Sequence, residues 1–288
     1  MLLVTGATGQ LGRRIVDQLL ARKGGATDIA ISVRDPGRAA DLGQRGIEVR
    51  HGDFDQPATL VSAFVGVDKL ILVSTDGPSD LRIRRHRNAI DAARAAGVRH
   101  ILYTSFIDVA ADSPAEFAAV HRTTEAELAA SGVQFTALRN PLYADLLPMN
   151  VAAAFINGVF ELPAGSGRAS FVSRSELAEA TAAAALAPAL ARSVYELTGQ
   201  ATHDYHELAA AVARATGKPV RYQPVSTDAY AQALVAQGLP PWFADALASM
   251  YAAVAAGKFD RISNDFALLV GHPPRPLACL TQELFSNH

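Results

Sequence analysis

Leu2-Leu3-Val4-Thr5-Gly6-Ala7-Thr8-Gly9-Gln10-Leu11-Gly12 is the stretch that decides the fold. Four strand-forming residues run into a turn with glycines at 6, 9 and 12, and a helical pattern then continues to about residue 22. Such a turn lets backbone approach a pyrophosphate, and the first N–H groups of the helix point at that charge. Gly6 permits the turn, Gly9 removes a side chain that would block the pyrophosphate, and Gly12 lets helix and strand pack closely. The spacing is G-x-x-G-x-x-G, not G-x-G-x-x-G. Glycines alone would suit a bare strand–helix turn. With the strand before and the helix after, they predict a dinucleotide cradle made of Gly6, Ala7, Thr8, Gly9, Gln10, Leu11 and Gly12.

Outward from this turn, β-branched runs alternate with helical patterns. Strands are expected at 2–5, 28–33, 47–51, 69–74, 98–104 and 133–138, and helices near 10–22, 36–44, 57–64, 80–96 and 115–131. Most of the strands are apolar on both faces, as a parallel sheet covered by helices on two sides requires. The alternation predicts an α/β fold, a Rossmann-type doubly wound parallel sheet. After residue 140 the rhythm breaks at Pro141, Pro148, Pro163 and Gly165-Ser166-Gly167. Helical patterns follow at 175–187, 205–216, 227–237 and 241–256, with short strands at 194–197 and 220–224. The expected organisation is a nucleotide-binding domain over 1–140 and a smaller, mainly helical domain over 141–288. A late strand such as 194–197 is free to return to the first.

Of 288 residues, half are hydrophobic, and 26 basic residues are set against 28 acidic ones. No basic surplus exists to neutralise a run of phosphates, so nucleic acid is not an expected partner. The single cysteine, Cys279, cannot form an internal disulfide, which fits a reducing compartment, and it is expected to be a small buried hydrophobe. Met1-Leu2-Leu3-Val4 is too short for the apolar core of a signal peptide. The alanine-rich stretches 178–191 and 244–256 are interrupted by charged or polar residues, so neither suits a membrane span. The expectation is a soluble, cytoplasmic protein, monomer or homodimer, with no membrane partner.

Val4-Thr5-Gly6-Ala7-Thr8-Gly9-Gln10-Leu11-Gly12 also resembles the atypical short-chain dehydrogenase/reductase group that includes the NmrA-like proteins. The resemblance runs over nearly the whole chain. It is carried further by Val33-Arg34-Asp35-Pro36, His51-Gly52-Asp53-Phe54, His86-Arg87-Asn88, Leu138-Arg139-Asn140-Pro141-Leu142-Tyr143 and Gly271-His272-Pro273. Within the group the chain is most similar to the branch of NAD(P)H:quinone oxidoreductase type 2 and triphenylmethane reductase.

The residue after the second strand separates NAD from NADP, because an acid there accepts from ribose hydroxyls and repels a 2′-phosphate. Arg34 stands there, roughly 20 residues beyond Gly12, and a guanidinium can fork a phosphate. The expected cofactor is NADP(H), with NAD(H) as the alternative. Asp35 precedes Pro36 and is expected to be a turn or cap residue; Arg38 offers a second cation. By position and resemblance, Asp53 and Phe54 would lie by the adenine, although Asp53 could instead cap the next helix. Ser74 and Thr75 would pass the nicotinamide ribose, and Tyr103 and Ser105 would end strand five at the mouth of the crevice. The resemblance implies that Asn140, Pro141, Leu142 and Tyr143 border the nicotinamide.

Ordinary short-chain dehydrogenases use a tyrosine and a lysine four residues later as a proton relay. That pair is missing after strand five; His121 and Glu125 occupy the spacing, and the quinone reductase branch is similar there. An alcohol–ketone reaction by the usual relay is therefore not expected. A quinone or cationic dye accepts hydride directly, so the expected activity is hydride transfer to a planar, electron-poor acceptor, with no flavin or metal. His121 and Tyr143 are the candidates for a direct chemical role. For His121 a structural i,i+4 pair with Glu125 is the preferred reading. Two rivals remain: a non-catalytic NADP(H)-binding sensor of NmrA type, and an isomerase of sugar nucleotides, which the missing relay disfavours. His203 and His206 are expected to mark a helix start, not a metal site. Trp242-Phe243 and Met250-Tyr251 form an apolar stripe, with one or two of them expected to touch the acceptor.

Overall fold

The computed structural model describes residues 1–286. Its strands are β1 (Leu2–Thr5), β2 (Ile29–Val33), β3 (Glu48–His51), β4 (Lys69–Leu72), β5 (His100–Phe106), β6 (Gln134–Asn140), β7 (Leu142–Tyr143), β8 (Val159–Leu162), β9 (Phe171–Val172), β10 (Val194–Glu196) and β11 (Arg221–Pro224). The first five longer helices are α1 (Gln10–Lys23), α2 (Ala40–Gln44), α3 (Pro57–Ala63), α4 (Ser79–Ala95) and α5 (Glu116–Ala130). A seven-stranded sheet runs β10-β6-β5-β4-β1-β2-β3. The β1–β2, β1–β4, β2–β3 and β4–β5 pairs are parallel. Strand order reverses between β1 and β4, and in open α/β sheets ligands bind beyond the carboxyl ends of the strands at that switch point.

The chain divides into two compact units. The first comprises Met1–Ser105, Val120–Arg139 and Arg174–Tyr195. Every residue of β1 and β2 is buried, which is why these strands are almost wholly apolar, with Thr5 and Ser32 their polar members. On one side of the sheet, Leu3, Leu70, Leu72 and Ile101 pack with helix residues Leu60, Phe64, Ile90 and Leu128. α1 buries Leu11, Ile15, Val16 and Leu19, one face at helical spacing. It packs against the alanine-rich helix Arg174–Leu186, whose small side chains allow close approach.

The second unit comprises Phe106–Ala119, Asn140–Ser173 and Glu196–His288. It contains two small parallel pairs, β7–β9 and β8–β11. Its core is aromatic, with Phe160, Phe171, Tyr205, Tyr222, Tyr251 and Phe259 packed together.

Several local expectations are corrected. Asp28 has φ of 62°, a left-handed turn conformation, so β2 begins at Ile29. The helix expected over 36–44 is a 3₁₀ turn, Pro36–Ala39, followed by α2. Strands β7, β8 and β9 were not expected, being two to four residues long. Cys279 is exposed, not buried. In helix Leu277–Phe285 the buried positions are Leu277, Leu280, Thr281 and Phe285, and residue 279 falls on the opposite face. Among the described residues no helix is long and apolar enough to cross a membrane.

Candidate dinucleotide site and the buried network beside it

The glycine turn is fixed by its own backbone. Gly6 adopts φ of 62°, and the Gly9 N–H donates to the Gly6 carbonyl at 2.9 Å. A Cβ on Gly12 would lie 2.2 Å from the Gly6 carbonyl oxygen and 2.7 Å from its carbon. Gly12 thus serves the turn itself, beyond the helix–strand packing expected of it. α1 starts at Gln10 without a side-chain cap and without an acid in its first turn. Its first N–H groups therefore remain available to an anion.

Beyond the ends of β1, β2 and β3 lies a cavity of about 310 Å³. Of the residues expected at the cofactor, Gly6, Thr8, Arg34, Asp53, Phe54 and Thr75 line it. Arg34 and Arg38 line it as exposed side chains with no hydrogen bond or ion pair among the described residues. Asp35 accepts from the Gly37 N–H at 3.0 Å and caps the 3₁₀ turn that Pro36 opens, so its carboxylate is occupied locally. Ser32 and Gly52 form part of the floor. A Cβ on Gly52 would meet the Ser32 Oγ at 2.2 Å, and that buried hydroxyl has no hydrogen-bond partner. A dinucleotide fits these features: a glycine cradle, two uncommitted cations and an orphaned hydroxyl facing one cavity.

The loop after β3 is stiffened from two directions. The Asp53 carboxylate accepts from the Asp55 N–H at 3.0 Å, and the Asp53 N–H donates to Thr59 Oγ1 at 2.9 Å. Gln56, not Asp53, occupies the N-cap of α3. From α4, Asn88 Nδ2 donates to the Phe54 carbonyl at 2.8 Å. Arg85, also on α4, lines the cavity and grips Asp55. Its guanidinium holds the Asp55 carboxyl below the usual carboxylate range. Sequence reading missed Arg85, Ser32 and the buried Arg82; α4 carries arginines at 82, 84, 85 and 87, and nothing in the sequence singles out which of them face the cavity or the interior.

Ser74 and Thr75 follow β4 and are held from beneath. The Ser74 N–H donates to Thr104 Oγ1 at 2.9 Å, and the Thr75 N–H donates to His86 Nε2 at 3.0 Å. Thr124 donates its hydroxyl to the Val120 carbonyl, so its Oγ1 accepts from His86 Nδ1 at 2.9 Å. Those partners assign the His86 proton to Nδ1. Arg82 is buried and donates from Nη2 to Ser74 Oγ at 3.0 Å and to His121 Nε2 at 3.1 Å. Arginine has donors only, so His121 carries its proton on Nδ1, which donates to Tyr103 Oη at 2.7 Å. Burial, with Arg82 second, pushes His86 down to about 3 and His121 well below its ordinary value. Burial raises Tyr103. Both imidazoles are therefore neutral at physiological pH.

Glu125, at the position where the usual relay would have lysine, accepts from Ser105 Oγ at 2.6 Å and from Arg139 at 2.7 and 3.0 Å. The His121–Glu125 spacing thus serves two different partnerships. Tyr103 and Ser105 are buried, and their side chains point into these networks. His121→Ala is accordingly expected to leave kcat within about tenfold, with no step in the pH–rate profile assignable to a histidine between about pH 5 and 8. A loss nearer 10³-fold, the range of a lost general acid, would assign His121 a direct role.

Asn140, Pro141, Leu142 and Tyr143 belong to the second unit. Asn140 is buried; its Nδ2 donates to Tyr143 Oη at 3.3 Å and its Oδ1 has no partner. Met250 and Tyr251 are core residues, whereas Trp242 is exposed. Asp204 caps helix Tyr205–Thr216 in a capping box, and His203 Nδ1 lies 3.2 Å from Glu207. A larger cavity of about 720 Å³ lies in this unit, but none of the residues expected at the cofactor lines it among those described. Two of its cations are committed, Arg168 to Glu207 and Arg275 to Glu283. Among the described residues no group of three or more His, Cys, Asp or Glu could hold a metal ion.

The NmrA-like family model matches residues 1–269. Quinone oxidoreductase 2 of Escherichia coli K12 is 38% identical over 286 residues, 99% of each chain. A crystal structure of the NADPH-dependent quinone oxidoreductase from that species, complexed with NADPH, gives a TM-score of 0.93 over 99% of this chain and 100% of that one. Citrobacter sp. triphenylmethane reductase complexed with NADP(H) gives 0.92 at 36% identity, with 99% and 100% of the two chains covered. NAD(P)H azoreductase of Xenophilus azovorans is 30% identical over 278 residues, 96% of each chain.

Proposed function

The chain belongs to the NmrA-like family, and on that premise we propose that it is an NADPH-dependent oxidoreductase delivering hydride to a quinone or a similarly planar, electron-poor acceptor. The observation that carries this reading is the cavity beside the glycine turn, where Arg34 and Arg38 present uncommitted guanidiniums at the end of β2. Support comes from relatives named as reductases of quinones, azo compounds and triphenylmethane dyes, two of them with NADPH or NADP(H) bound.

In this reading the N–H groups from Gln10 to Gly12 hold the pyrophosphate, with Gly6, Ala7, Thr8 and Gly9 shaping its approach. Arg34 forks the 2′-phosphate, and Arg38 adds charge. Asp53 and Phe54 flank the adenine, and Ser74 and Thr75 form the rail for the second ribose. Tyr103 supports that rail from below through His121 and Arg82, while Ser105 is tied to Glu125 and Arg139 in a separate network. Asn140 offers a free Oδ1 to an amide or hydroxyl of a ligand, and Tyr143, beside it, is the candidate acceptor contact. When bound, NADPH supplies the hydride. The protein supplies position and a dry, shaped pocket instead of a strong acid. That suits an acceptor whose conjugated ring takes hydride and whose oxyanion water can protonate. It also suits a cationic dye, which needs no proton. We place this chemistry in the cytoplasm, as the single thiol suggests.

The test is NADPH oxidation against a panel of quinones, azo dyes and triphenylmethane dyes, repeated with NADH. Turnover with at least one class is expected, faster with NADPH. Tight binding of NADPH with no consumption by any acceptor would instead identify a dinucleotide sensor.

A further inference from the structure

Three arginines line the candidate cofactor cavity, and they differ in what their N–H groups are doing. Arg34 and Arg38 have free edges. Arg85 does not. Its Nε lies 3.1 Å from both Asp55 carboxylate oxygens, its Nη2 is 2.6 Å from Oδ2, and its Nη1 is 3.2 Å from the Asp76 carbonyl. Asp55 and the Asp76 carbonyl thus take three of its five N–H donors, the whole Nε–Nη2 edge among them, so a ligand meets this guanidinium with fewer in-plane donors than Arg34 or Arg38 offers. Arg85 keeps its two flat faces, which stack on aromatic rings.

We propose that Arg85 is the shelf on which the adenine ring stacks, and that Asp55 is the positioning residue that sets the angle of this shelf. The inference rests on the dinucleotide reading above. The surroundings fit a flat base. Phe54 and Asp53 line the same cavity. Asn88, one turn beyond Arg85 on α4, fixes the Phe54 carbonyl, so one helix face holds both the shelf and the loop beside it. The Asp76 contact ties the shelf to the loop after β4 as well, at Gly77, where a Cβ would lie 3.8 Å from Arg85 Nη1. Asp55 also neutralises the arginine locally. Arg85 therefore acts on the base common to NADPH and NADH, not on the 2′-phosphate.

The experiment is fluorescence titration of the full chain with NADPH, NADH and reduced nicotinamide mononucleotide, which lacks adenine. Arg85→Lys keeps the charge and loses the planar face. It is expected to raise Kd for NADPH and NADH by about tenfold each, leaving their ratio unchanged. Asp55→Asn, which loosens the shelf, is expected to shift both in the same sense by about threefold. The mononucleotide is expected to bind both variants as it binds the parent. Loss confined to NADPH would make Arg85 a phosphate ligand, and equal loss for the mononucleotide would make the effect structural; either result overturns the shelf, as does an unchanged Kd. Failure of the parent itself to bind NADPH would instead overturn the dinucleotide reading.

Discussion

Gly12→Ala is expected to abolish dinucleotide binding at any practical concentration, with Kd raised by at least about 100-fold, and to melt below the parent. The added Cβ would meet the Gly6 carbonyl oxygen at 2.2 Å, its carbon at 2.7 Å and the Ala7 Cα at 3.1 Å. All three are backbone atoms, so no flexible side chain can swing away. Relief must come from moving the turn or the start of α1. Overpacking of this kind costs about 1–3 kcal/mol of stability. Binding suffers more, because the displaced N–H groups are those aimed at the pyrophosphate. Hydrogen bonds to a charged group are worth about 1.5–3 kcal/mol each, so misplacing two removes a factor of 100 or more. Gly9→Ala provides the internal contrast, since its Cβ would touch only the Gly6 oxygen, at 3.3 Å. A thermal melt and an NADPH titration on both variants check the pair. Gly12→Ala binding like the parent would show that the turn relaxes freely and is not the cradle.

What the sequence made legible follows from the range of the interactions. The sheet was readable because β1 and β2 are buried on both faces, so each strand declares itself within four or five residues. The cradle and Arg34 were readable because a strand–turn–helix and the residue after the next strand are local features. Asp35 was readable as a cap because Pro36 fixes the first residue of the turn. Other features depend on chain segments that only folding brings together. Arg82, His86, Tyr103 and His121 come from α4, β5 and α5, and none shows a pattern with the others. The i,i+4 spacing of His121 and Glu125 suggested a local pair, yet His121 serves Tyr103 while Glu125 serves Ser105 and Arg139. Likewise β10 takes its place beside β6 at the sheet edge although more than 50 residues separate them. Cys279 was misread because composition says nothing about which face of a helix is covered.

Arg34→Ala is expected to raise Kd for NADPH by about 30- to 100-fold while leaving NADH within about threefold. Arg34 is the first residue after β2 and stands exposed at the cavity with its fork unused. A bidentate, charge-assisted contact with a phosphate is worth about 2–3 kcal/mol, which sets the factor. The neighbouring acid does not offset it: the Asp35 carboxylate is spent on the Gly37 N–H and caps the turn. NADH has no 2′-phosphate and loses only a weak contact. Arg38 lines the same cavity, so the double variant Arg34→Ala/Arg38→Ala is expected to erase the remaining preference. The NADPH affinity of the parent should also fall with added salt more steeply than its NADH affinity, because exposed charges are screened. The pattern is the reverse of that expected for Arg85, whose variants weaken both cofactors alike. The two arginines thus test each other, one through the ratio of affinities and the other through their common level. Equal weakening of NADPH and NADH by Arg34→Ala would take the 2′-phosphate away from Arg34 and leave the cofactor preference without a residue at the end of β2 to explain it.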